Sequence, residues 1–156
     1  MKEKIFIDTN AFLYLLTDQK GKAAKIENIM NSEEYCIFTN FLVLNELIYK
    51  LLWISASESL KTNKKFILLE HIKNDAKLRE EVYSKFTDFY THLTNKCIIL
   101  DFQKEECLLS LSISKKFGLL PTDASILASM VSSNIKKILT DDSDFKKIKS
   151  IEVLEV

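Results

Sequence analysis

The sequence predicts an α/β protein, a three-layer α/β/α sandwich around a mostly parallel central sheet. Short apolar runs without polar alternation, such as Ile5-Phe6-Ile7, suit strands covered on both faces. Longer stretches with apolar residues three and four apart follow them. Polar residues of the types that cap helices stand at the junctions. Strands alternating with helices imply parallel pairing through right-handed crossovers.

The first strand, residues 5–7, stops at Asp8, and Thr9-Asn10 leads into a buried helix through Leu16. A second short helix is expected over 20–31. Tyr35 to Phe38 reads as a second strand, after which Thr39 or Asn40 can cap a long apolar helix over 40–54 that carries Glu46. Residues 58–95 read as a helical insertion of two helices, the second marked by Leu78, Val82, Phe86, Phe89 and Leu93. Cys97 to Leu100 is a third strand, and the helix from about 103 to Phe117 is closed by Gly118, a left-handed stop. Pro121 and Thr122 open the next helix, with Thr122 as its cap. Ile138 to Thr140 is a fourth strand, Ser143 to Ile148 a short helix, and Ile151 to Leu154 a last strand.

With 156 residues, 47% of them hydrophobic, the chain can fill one core, and residues 1–156 are read as a single domain. The 22 basic residues balance the 22 acidic ones, so no global positive field draws a polyanion. Local patches or bound metal would have to do so. Two glycines and one proline leave no room for a glycine-rich phosphate loop or a dinucleotide fingerprint. Cys36, Cys97 and Cys107 lack C-x-x-C spacing and suit buried thiols in a reducing cytoplasm. The opening MKEKIFIDTN reaches an acid after three apolar residues, too soon for the core of a signal peptide. The apolar stretch at 41–54 is too short to span a bilayer, so no membrane segment is expected.

The acids carry the functional reading. Ligand sites in open α/β sheets lie beyond the carboxyl ends of the strands, where Asp8 and the run Asp141-Asp142-Ser143-Asp144 fall. Each acid has a plain structural role as well. Asp8 can cap a helix, Glu46 can pair with Lys50 one turn on, and Asp123 can sit in a first turn favoured by the helix dipole. Asp142 and Asp144 can serve only the turn that follows. Glu46, however, lies in a helix so apolar that little of its surface should face solvent. Two acids ending strands, a third opening a helix and a fourth in the helix after the second strand could all face one cleft. Carboxylates so gathered require a compensating cation or retained protons. Oxygen ligands without His or Cys select magnesium or manganese over zinc. Such a site suits phosphodiester hydrolysis.

The segments FIDTNAFLYLL at 6–16, NEL at 45–47, LLPTDASILASM at 119–130 and ILTDDSDF at 138–145 resemble the PIN-domain family, and within it the VapC-type toxin ribonucleases. The resemblance covers nearly the whole chain outside the helical insertion and makes the domain a PIN-like nuclease. It implies that Asp8, Glu46, Asp123 and Asp142 are catalytic, metal-binding acids, with Asp144 a supporting fifth. Thr9, Asn10 and Thr140 would support them by orienting carboxylates. It further implies cleavage of RNA with Mg2+ or Mn2+, a homodimer, and inhibition by a small antitoxin. Strand alternation lets only one of Asp141 and Asp142 point inward easily, and the T-x-D-x-D-F pattern selects Asp142.

Other features add no chemistry. Lys61, Lys64, Lys65, Lys73 and Lys77 in the insertion could contact phosphates or form a solvated face. His71 and His92 lie away from every acid motif, and no serine or cysteine has a histidine base at motif spacing. Two alternatives remain. One is a catalytically silent PIN-like module binding RNA or protein. The other is a magnesium-dependent phosphatase with Asp8 as nucleophile, although Asn10 stands where that chemistry wants a second acid.

Overall fold

A computed structural model of the chain describes residues 2–19 and 21–156. Five strands form one parallel sheet: β1 (Glu3–Ile7), β2 (Tyr35–Asn40), β3 (Cys97–Leu100), β4 (Lys137–Leu139) and β5 (Glu152–Leu154). Their order across the sheet is β3-β2-β1-β4-β5. The chain therefore moves outward from β1 in one direction, then returns and moves outward in the other. This makes the gap between β1 and β4 a topological switch point, where the connections leaving the two strands part and open a crevice at their carboxyl ends.

Among the described residues, seven α-helices cover the sheet: α1 (Thr9–Leu16), α2 (Lys22–Asn31), α3 (Phe41–Leu60), α4 (Lys65–Asn74), α5 (Ala76–Leu93), α6 (Lys104–Phe117) and α7 (Pro121–Ser132). Right-handed crossovers put α1 to α5 on one face and α6 with α7 on the other. The contacts agree, since α1 touches α2 and α3, α3 touches α4 and α5, and α6 packs along α7. Ile5, Phe6 and Ile7 are wholly buried, as a central strand covered on both faces requires. Asn40 is the cap of α3, its Oδ1 accepting from the Val43 N–H at 3.0 Å. Gly118 closes α6 in the left-handed conformation, φ 70°.

Several expectations need correction. The expected second helix began at residue 20, which lies outside the described residues; α2 itself starts at Lys22. The apolar helix continues to Leu60 rather than stopping near 54, because Ala56 still packs into the core. Its surface is less hidden than its composition implies, with Phe41 and Tyr49 exposed. Residues 145–147 form one 3-10 turn rather than an α-helix. Leu120 occupies the cap position of α7, so Thr122 lies inside the first turn, a consequence of Pro121 starting the helix. Cys97 is buried and Cys36 half-buried, but Cys107 is exposed; all three are free thiols.

The insertion, α4 and α5, is part of the same core. Phe12 of α1 is fully buried and meets Phe89 of α5 edge to face at 5.4 Å. Lys61, Lys64, Lys65, Lys73 and Lys77 are exposed, as a solvated face should be. Among the described residues no helix is long and apolar enough to cross a membrane. Phe12→Ala should cost about 3–5 kcal/mol in chemical denaturation. Phe66→Ala, at a site 85% exposed, should change stability by no more than about 0.5 kcal/mol.

Candidate active site

Asp8 is the first residue past β1, and the register with β4 fixes its place. Its backbone N–H donates to the Leu139 carbonyl at 3.2 Å, extending the β1–β4 pairing by one step. Asp8 is also the cap of α1: Oδ1 accepts from the Thr9 N–H at 2.6 Å. Oδ2 accepts from the Thr140 hydroxyl at 2.7 Å. Only 5% of Asp8 is exposed. Burial above all holds its carboxyl above the ordinary carboxylate range, and the Glu46 charge adds to this. Hydrogen bonds from Thr140 and Thr9, and the Lys50 ammonium, act in the opposite direction.

Thr140, fully buried just past β4, joins two acids. Its hydroxyl donates to Asp8 and accepts from the Asp142 N–H at 3.0 Å. Asp142 in turn accepts from the Asp144 N–H at 2.8 Å, a local turn that carries the chain away from the sheet. Asp144 pairs with Lys147 at 2.6 Å. Asp141 points elsewhere, to an ion pair with Lys22 and a hydrogen bond from the Val156 N–H at 2.9 Å. Although burial raises its carboxyl, Lys22 and the Val156 N–H outweigh it and hold the group below its ordinary value.

From the other side α3 presents Glu46. One oxygen accepts from the Thr9 hydroxyl at 3.0 Å and the other meets the Lys50 ammonium at 2.9 Å. Lys50 also donates to Asn10 Oδ1 at 3.1 Å. The plain i, i+4 pair foreseen for Glu46 is thus present, and Glu46 is half-exposed rather than enclosed. The same pair is also the middle of a network that binds α1 to α3.

Asp123 sits in the first turn of α7. Among the described residues its carboxylate accepts no hydrogen bond. Burial, then the charges of Asp142, Asp8, Glu46 and Asp144, push it up to about 6. The structure therefore brings all five acids into one field, and Thr9, Asn10 and Thr140 each touch one of them or the lysine beside them. Two contacts have no counterpart in the sequence pattern. Lys50 reaches across to Asn10, and the Asn40 amide donates to Ser129 Oγ at 3.1 Å, tying the start of α3 to α7. The i, i+4 spacing signalled the Glu46–Lys50 pair, but nothing local signals a bond between helices.

The donor set is all oxygen, since His71 lies on α4 and His92 on α5. Hard oxygen donors with an uncompensated Asp123 fit a hard divalent cation. Among the described residues no three or more His, Cys, Asp or Glu side chains form a ready-made ligating group. Glu46 is turned to Lys50 and Thr9, so gathering ligands about an ion requires its side chain to rotate.

A parallel α/β sheet with carboxylates crowded at the carboxyl edge of its switch point defines an acid-cluster α/β domain. The PIN domain family model matches residues 5–151, and the chain belongs to the PIN-domain family. It is 31% identical to Ribonuclease VapC2 of Methanocaldococcus jannaschii, over 99% of this chain and 95% of that protein. It is 28% identical to Ribonuclease VapC6 of the same organism, over 97% and 96%. Among solved structures, VapBC2 from Rickettsia felis, bound to a DNA fragment from its promoter, superposes with a TM-score of 0.63 at 18% identity, covering 98% of both chains.

Asp123 supplies a pH test. The folded carboxyl holds its proton more tightly than the unfolded one, so folding takes up protons between pH 3.8 and about 6. Stability falls as pH rises through that window. In metal-free buffer at pH 7, Asp123→Asn should raise the denaturation midpoint above that of the unaltered chain, and the gain should vanish below pH 4.

Proposed function

We propose that this chain is a metal-dependent endoribonuclease, the toxin of a VapBC-type toxin-antitoxin pair, acting in the cytoplasm. The observation that carries this reading is that the charges of Asp8, Glu46 and Asp142 all bear on the Asp123 carboxyl, in a PIN-domain chain whose β1 and β4 end beside Asp8 and Thr140. Asp8, Glu46, Asp123 and Asp142 would hold Mg2+ or Mn2+, an ion that supplies charge compensation and Lewis acidity for phosphodiester hydrolysis.

The chain's own residues set the conditions for that step. Asp8 is fixed by Thr9 and Thr140, so a carboxylate with a lone pair left on each oxygen is presented without reorganisation. Without a cation, burial and then the neighbouring acids push the Asp123 carboxyl up to about 6, so an ion bound there would displace its proton. Thr140 orients Asp8 and the Asp142 backbone with one hydroxyl. Asn10 holds the Lys50 ammonium beside Glu46, and Asp144 supports the turn that carries Asp142. Asn10 is committed to Lys50 and Asp8 is enclosed, which favours hydrolysis by water over a phosphatase using Asp8 as nucleophile. Similarity to VapC ribonucleases and to a VapBC structure supports a small antitoxin partner, and a homodimer is proposed with it.

Cleavage of an RNA substrate should require Mg2+ or Mn2+ and stop with EDTA. Thr140→Val should slow it by about 10- to 100-fold, and Asp8→Asn and Asp123→Asn by at least as much. Asp141→Asn should stay within about threefold, since that acid belongs to Lys22. Full activity in Asp8→Asn would overturn the reading, and metal-independent RNA binding without cleavage would favour a silent binding module.

A further inference from the structure

The helix that delivers Glu46 continues past it with a second set of groups on the same face. Residues 46, 49, 50 and 53 stand at i, i+3, i+4 and i+7, so Glu46, Tyr49, Lys50 and Trp53 share one side of α3. Tyr49 is 50% exposed although it lies in an apolar helix. Its ring meets that of Trp53, half-buried, at 5.8 Å between centroids and 36° between planes. Together with Leu13, Lys50 and Ile54 the two rings line a shallow cavity of about 220 Å³. That is below the roughly 300–1,000 Å³ of sites that enclose a whole small molecule, and in scale with a single planar ring system.

The polar groups around this cavity are selective. Among the described residues neither the Tyr49 hydroxyl nor the Trp53 indole N–H hydrogen-bonds to protein, so a donor stands free at each ring. Lys50 forms the wall nearest the acids, with its ammonium 2.9 Å from Glu46. Lys50 therefore borders both the cavity and the acid cluster. Seven residues of helix separate Trp53 from Glu46, about 10 Å along the axis. Three stacked nucleotides at about 3.4 Å each cover that distance.

We propose that Tyr49 and Trp53 form a nucleobase-stacking subsite for an unpaired stretch of RNA whose neighbouring phosphate lies at the acid cluster, with Lys50 facing the intervening backbone. The proposal rests on the ribonuclease reading and adds to it the place on α3 where an unpaired base beside the cleaved phosphate would dock. Aromatic faces accept any base that is free of its partner, and the cation compensates the phosphate between the base and the cleavage point. In a duplex the bases are stacked inside and cannot reach the rings. The chain has no net charge to attract RNA at long range, so a local contact of this kind would supply binding that its overall field does not.

Trp53 is the only tryptophan, so its emission reports on this cavity alone. The full chain is titrated in EDTA with hexaadenylate, and with a self-complementary RNA duplex of equal charge as control. Saturable quenching by the single strand, absent with the duplex, is expected, and Tyr49→Ala should weaken that binding by about fivefold or more. Trp53→Phe, which keeps a ring, should retain affinity measured by anisotropy of a labelled strand, whereas Trp53→Leu should lose it. No quenching at saturating hexaadenylate, equal quenching by the duplex, or unchanged affinity in both Tyr49→Ala and Trp53→Leu would overturn the subsite. RNA cleavage with Trp53 unquenched removes the subsite and keeps the ribonuclease. Quenching with no cleavage in Mg2+ or Mn2+ keeps the subsite and removes the ribonuclease.

Discussion

Everything at the carboxyl edge of the sheet is arranged around one buried carboxylate that is costly to keep charged. Asp8 loses most of its water where β1 ends, and an unpaired carboxylate there would simply hold its proton. Thr9 and Thr140 offset part of that cost by donating to its two oxygens. Both donors depend on the fold. Thr9 is in place because the chain turns into α1 at once, and Thr140 because β4 lies beside β1 in parallel register. A shift of one residue in that pairing would turn Thr140 away and leave Asp8 without its second donor.

The remaining acids are the consequence of a sheet whose connections part at this point. The turn after β4 brings Asp142, the first turn of α7 brings Asp123, and α3 brings Glu46 from the opposite face. Burial first, and then the charges of these neighbours, drive Asp123 to about 6; among the described residues it alone of these acids accepts no hydrogen bond. Among the described residues, Lys50 is the cation paired with Glu46 and Asn10. It neutralises part of the cluster and leaves the remainder for an ion or for protons. The same lysine borders the cavity under Tyr49 and Trp53, so α3 carries charge compensation and an aromatic surface on one face.

Much of this was legible in the sequence, and the limits have physical reasons. Ile5-Phe6-Ile7 ending on Asp8 identified the central strand, because a short apolar run cut off by an acid suits a strand that is covered on both faces and ends at a sheet edge. Gly118 marked one helix end and the pair Thr39-Asn40 another through strictly local chemistry, and of that pair it is Asn40 that caps α3. Of the two adjacent acids, Asp141 is held by Lys22 and the Val156 N–H, whereas the Asp142 N–H donates to Thr140. What local patterns could not show was which surface of α3 remains open. An apolar helix reads as enclosed, yet half of Tyr49 faces solvent. The Asn10–Lys50 and Asn40–Ser129 bonds join residues 40 and 89 positions apart, and only the assembled fold defines them.

The central claim is that these carboxylates act together on a divalent ion. Diffraction from crystals of the chain grown with Mn2+, recorded at an energy where manganese scatters anomalously, tests it most directly. The account predicts an anomalous peak in the crevice between β1 and β4, within coordination distance of Asp8 and Asp123, with Glu46 turned from its Lys50 pairing. A chain that cleaves RNA in Mn2+ while showing no peak at these acids, or a peak held by residues elsewhere, would contradict it.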